Sequence, residues 1–176
     1  IIVGNAGVGK TQIVQRFLFD TFEASPKPTV GVQFFEKTLK INNESVTLNL
    51  WDTAGEEKTN SLARIYYKNA QAALIVFDLS KQETFDSLAF WVNQVKKHAG
   101  CPFVIVGNKL DMQKMVDESE IKQFVADCQC KYIETSPLQN KNIQEAFKTI
   151  IEVANEFNQD QNDDKVDLET KNQKCC

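Results

Sequence analysis

Ile1-Ile2-Val3-Gly4-Asn5-Ala6-Gly7-Val8-Gly9-Lys10-Thr11 decides the fold. From Gly4 onward it satisfies G-x-x-x-x-G-K-[ST], with an apolar run before it that can be a buried strand and a helical pattern after it. The glycines let successive backbone N–H groups turn inward, and Lys10 can reach the outer phosphates of a nucleotide. Thr11 offers its hydroxyl to a magnesium ion, and the N-terminus of a helix starting there favours phosphate charge. A glycine-rich turn would explain the backbone alone. Chance, however, yields the full pattern in a chain of this length on the order of once in a hundred times or less.

The surrounding composition is that of one globular domain: 176 residues, 42% hydrophobic, 25% charged. A net charge of −4 argues against non-specific nucleic-acid binding, which needs a basic face. The longest apolar run, Ala72 to Phe77, is far short of a bilayer span, and no secretory signal is visible, so the reading is cytosolic. Five cysteines, without a disulfide framework, suit a reducing compartment. Cys128 and Cys130 read as core or strand-start thiols.

In chain order, Ile13, Val14, Phe17 and Leu18 repeat at helical spacing and fade near Thr21. Glu23 to Thr29 reads as a loop. A period-two pattern through Leu39 and Ile41, then Val46, Leu48 and Leu50, predicts a hairpin with a turn at Asn42-Asn43. Glu56 to Ala70 reads as a loop entering an irregular helix. Ala72 to Phe77 and Phe103 to Val106 are buried strands, and Phe85, Leu88, Val92 and Val95 form one helical stripe beside Trp91. Asp117 with Glu120 predicts a capping box, Tyr132-Ile133 a short strand, and Ile143 to Phe157 an amphipathic helix. The fold class is therefore α/β, a phosphate-loop nucleotide-binding fold. Its six-stranded, mostly parallel sheet has one antiparallel edge strand and helices on both faces. Ligands sit at the carboxyl ends of such strands, where Gly4, Asp52 and Asn108 all fall. Residues 1–157 form the binding domain, and 158–176 read as a disordered tail.

On these residues, and on Asn108-Lys109-Leu110-Asp111 at a strand end, the chain resembles the small GTPases, specifically the Rab branch. The resemblance implies GTP or GDP with Mg2+ as ligands and a GTP-hydrolysing switch in membrane traffic. Gly4, Asn5, Ala6, Gly7, Val8, Gly9, Lys10, Thr11 and Gln12 would hold the phosphates. Asn108, Lys109 and Asp111 would read the base, with Asp111 accepting from guanine N1 and N2. Phe22 resembles the aromatic packed on the guanine edge. It could also be the last apolar residue of the first helix. Thr29 resembles the first switch threonine. Thr11, Thr29 and Asp52 would form the magnesium shell, and Gly55 would contact the third phosphate. The implied partners are an exchange factor, a GTPase-activating protein, a GDP-dissociation inhibitor or escort protein, and effectors, around a monomer. Lys58 to Leu62 with Tyr66-Tyr67 leans toward the endosomal Rabs.

Three departures stand out. Glu56 occupies the place of the usual glutamine that orients the attacking water. With Lys10 and Gly55 it would complete the catalytic set, and it raises the alternative of a GTP-binding scaffold with little hydrolysis. Ser136-Pro137-Leu138 replaces S-A-K, and Pro137 has no N–H to offer guanine O6. Pro26 replaces a common aromatic. The acidic segment 158–174 cannot serve as a polybasic anchor, so membrane attachment falls to Cys175 and Cys176. That pair resembles a double prenylation signal.

Overall fold

A computed structural model describes residues 1–41, 44–55 and 63–172, of which 41, 44, 63, 64 and 161–172 are described as backbone alone. Six strands form one sheet in the order β2-β3-β1-β4-β5-β6, with β1 at Ile2–Val3, β2 at Val32–Ile41, β3 at Glu44–Thr53, β4 at Ala73–Asp78, β5 at Phe103–Asn108 and β6 at Lys131–Glu134. Only β2 runs antiparallel, pairing with β3 from Val32↔Thr53 to Ile41↔Glu44. The expected sheet is therefore the observed one. Asn42-Asn43, the predicted turn, lies outside the described residues.

Period-two alternation in the central strands feeds two cores. Ile2, Leu74, Val76, Val104 and Val106 face one way, against Ile13, Val14 and Phe17 of α1 (Lys10–Phe19) and Phe147 and Ile150 of α6 (Ile143–Asn172). Val3, Ile75, Phe77 and Ile105 face the other, against Leu88, Trp91 and Val95 of α4 (Leu88–His98) and Ile121 of α5 (Glu118–Cys128). On that second face lie also α2 (Ala63–Lys68) and the short α3 (Gln82–Asp86). Strands buried on both sides must be apolar throughout, which is why they read as continuous runs.

Three local expectations need correction. The stripe from Phe85 to Val95 belongs to two helices that part at Ser87, whose Oγ donates back to the Glu83 carbonyl at 2.9 Å and competes with the helical ladder. Asp117 caps α5 by accepting from the Ser119 N–H at 2.7 Å, but the Glu120 carboxylate accepts from Gln82 Nε2 at 3.2 Å, so no capping box closes. Helix α6 continues to Asn172 instead of ending near Phe157. Residues 158–172 contain no Gly or Pro to stop it, so the backbone runs on past the end of the apolar stripe. The described cysteines, Cys101, Cys128 and Cys130, are free thiols, and burial pushes Cys130 up to about 12.

The Phe17 and Phe147 rings stack with centroids 3.7 Å apart, locking α6 onto α1. Phe147→Ala should cost about 3–5 kcal/mol by leaving a cavity there. Thermal denaturation followed by circular dichroism should show Tm falling by roughly 10 °C.

Candidate functional site

The loop after β1 curls around the head of Lys10. That side chain is 4% exposed, and its Nζ donates to the Gly4 carbonyl at 2.8 Å and the Asn5 carbonyl at 3.0 Å. Glycines leave room for the curl, Gly9 and Gly55 among them. Gly9, at φ 95° just before α1, would bring a Cβ within 2.4 Å of Asn108 Nδ2. Gly55, after β3, would bring one within 2.5 Å of both Ala6 N and Lys10 Nζ. Gly55, two residues beyond β3, thus lies directly against the phosphate loop, with no room for any side chain.

Beside it three oxygen-bearing side chains meet. Thr11 Oγ1 donates to Asp52 Oδ2 at 2.6 Å and lies 2.7 Å from Thr29 Oγ1. Asp52 is fully buried. The three residues come from α1, the segment before β2 and the end of β3. Two hydroxyls and a carboxylate are hard donors that suit Mg2+ better than a soft metal, so the set fits the implied ion. Among the described residues no cluster of three or more His, Cys, Asp or Glu competes as a metal site.

The strand ends supply the other half. Asn108 Nδ2 donates to the Val8 carbonyl at 2.8 Å, while its Oδ1 accepts from Thr135 Oγ1 at 3.0 Å. Both ends of this amide therefore brace the phosphate loop against the segment after β6. Lys109, at φ 63°, pairs with Asp78 Oδ2 at 2.7 Å, and Asp78 Oδ1 accepts from the Ser80 N–H and Oγ. Burial pushes the Asp78 carboxyl up, but Lys109 and Ser80 outweigh it and hold the group below its ordinary value. Asp111 Oδ1 accepts from Ser136 Oγ at 2.5 Å. The Ser136 N–H is committed to the Lys141 carbonyl, the buried Pro137 offers only its carbonyl, taken by Arg16 Nε at 2.7 Å, and Leu138 is 53% exposed.

Gly4 to Thr11, Thr29, Asp52, Gly55 and Asn108 to Asp111 are thus brought to one edge of the sheet. Gln12 sits below it, its Oε1 accepting from the Glu23 N–H at 2.9 Å. Phe22 is half-buried beyond the end of α1 at Phe19, so it does not close that helix. Glu56, Cys175 and Cys176 lie outside the described residues. Asp78, Arg16 and Trp91, which brace site residues from outside, were not anticipated in that role. Only Asp78 left a sequence signal, as the acid ending an otherwise apolar strand. A cavity of about 480 Å³ lies elsewhere, among Val46, Leu48, Phe147 and Ile150, and holds none of these groups.

A family model described as "Ras family" matches residues 1–156. The chain belongs to the Ras family. It is 36% identical over 155 residues to GTP-binding protein ypt3 of Schizosaccharomyces pombe, covering 86% of this chain and 72% of that protein. It is 37% identical over 154 residues to Ras-related protein Rab-11B of Dictyostelium discoideum, covering 85% and 70%. With Ras-related protein Rab11D of Nicotiana tabacum it shares 36% over 155 residues, covering 86% and 70%. This Ras-family chain is accordingly a Rab-type small GTPase, a GTP hydrolase by reaction.

The Asp78–Lys109 pair makes a testable contribution to stability. Because the folded carboxyl titrates below 3.8, its stabilisation is complete above that value and is lost as pH falls through the lower folded one. Lys109 is 29% exposed, which reduces the worth of the pair relative to a fully buried one. Asp78→Asn should cost about 1–3 kcal/mol at neutral pH. Urea titrations from pH 7 down to pH 3 should show a shallower acid loss than the parent.

Proposed function

We propose that this edge holds a guanine nucleotide with magnesium and acts as a timed switch on the cytosolic face of an endomembrane in vesicle traffic. The observation that carries the reading is the meeting of Thr29 and Asp52 on Thr11, where two separate segments converge on the phosphate loop. Thr11, Thr29 and Asp52 would hold the ion, which when bound neutralises developing phosphate charge. Lys10 draws the outer phosphates, and the Gly55 N–H meets the third. Without that phosphate the segments carrying Thr29 and Gly55 lose a shared anchor, which is how hydrolysis would be signalled.

Asp111, oriented by Ser136, accepts from the two guanine donors that adenine lacks. The Pro137 position has no N–H, and the Ser136 N–H is occupied, so Leu138 is left to serve guanine O6. Discrimination then rests chiefly on Asp111. Asp111→Asn should weaken GDP binding roughly 100-fold or more, as two charge-assisted hydrogen bonds are impaired. Its preference for GTP over ATP should fall with it. Labelled-nucleotide uptake measures both, and an unchanged preference would refute the assignment.

Glu56 we assign to the place of the water-orienting residue, where a carboxylate slows attack beside the triphosphate. Glu56→Gln should raise single-turnover hydrolysis with an activating protein by roughly tenfold or more. A scaffold that hardly hydrolyses has Glu56 and Pro137 in its favour and nothing else. Attachment is assigned to prenyl groups on Cys175 and Cys176, two chains giving stable anchoring where one does not. No helix of the described residues is long and apolar enough to cross a membrane. Exchange factor, activating protein, dissociation inhibitor and effectors follow from the Rab-type assignment. Nucleotide released from the purified chain, identified by chromatography, tests the whole reading: guanine nucleotide is expected, and none would overturn it.

A further inference from the structure

Asn5 is the phosphate-loop residue at which three parts of the molecule meet. Its carbonyl accepts from Lys10 Nζ at 3.0 Å, and a Cβ on Gly55 would lie 2.7 Å from its carbonyl carbon. Its side chain points to neither. Oδ1 accepts from Trp91 Nε1 at 2.6 Å, and Nδ2 donates to Ser87 Oγ at 3.2 Å, which in turn donates to the Glu83 carbonyl at 2.9 Å. Trp91 is 1% exposed in the core formed with Leu88 and Val95. An indole has one N–H and no acceptor, so in that core it needs a partner, and the loop supplies it. The contact spans 86 residues and ties the phosphate loop sideways to α4, across from the α1 attachment that the loop has through the chain itself.

We propose that Trp91 is a positioning residue for the phosphate site: through Asn5 it fixes the carbonyl that holds Lys10, and so sets how long nucleotide stays bound. This rests on the nucleotide reading above. Removing the indole N–H leaves Asn5 Oδ1 without its shortest partner and frees the loop to shift by tenths of an ångström. Lys10 and the neighbouring backbone N–H groups then meet the phosphates less squarely. Ring volume is not the cause, because phenylalanine keeps most of it.

The experiment measures release of labelled GDP from the full chain in magnesium. Trp91→Phe should release about tenfold faster, as one buried hydrogen bond is lost, while single-turnover hydrolysis of bound GTP stays within about twofold. Asn5→Ala should show the same acceleration, and the Trp91→Phe, Asn5→Ala double variant should be no faster than either single. A parent-like release rate in Asn5→Ala, or multiplicative effects in the double variant, would overturn the proposal even if Trp91→Phe failed to fold. A parent that takes up no nucleotide would instead sink the reading beneath it.

Discussion

A lysine ammonium that is 4% exposed is the constraint on which this structure turns. Left without acceptors, so buried a charge would cost several kcal/mol. The chain meets the demand by curling Gly4 and Asn5 so that their carbonyls face Lys10. Gly9 and Gly55 follow from the same geometry, since a Cβ at either would strike the loop or the residue bracing it. The phosphate site is thus a consequence of housing one cation at the end of a buried strand.

That logic explains what could be read directly. Gly9, Lys10 and Gly55 are dictated by backbone path and local charge, and such demands leave residue types at fixed spacing along the chain. The sheet was legible for a similar reason. Strands covered on both faces must be apolar throughout, and β4 and β5 are. The antiparallel edge was visible because β2 and β3 keep one face outward and alternate.

The remainder depends on side chains far apart in sequence. Asn108 reaches the Val8 carbonyl across 100 residues, and Trp91 reaches Asn5 across 86. Neither tie leaves a local periodicity, so Trp91 read as core and Asn108 as a base contact, with no sign that its amide also braces the loop at both ends. Glu120 shows the same limit at short range. Its spacing from Asp117 predicts a reciprocal cap, yet a neighbouring helix offers Gln82 and takes the carboxylate. Helix α6 fails in the opposite direction, because apolar periodicity measures packing and says nothing about a backbone that meets no breaker.

These ties give the site a division of labour. Asn108, Thr135, Trp91 and Asp78 make contacts with other protein groups that hold the loops in register. Thr11, Thr29 and Asp52 hold one another by hydroxyl and carboxylate contacts that a cation would have to break into and replace. A switch requires both kinds. If the bracing residues depended on the ligand, losing a phosphate would loosen the guanine side together with the phosphate side, and the nucleotide would leave with its signal. Because the braces are internal, the change can be confined to the segment before β2, which carries Thr29, and the residues after β3 that lead to Gly55.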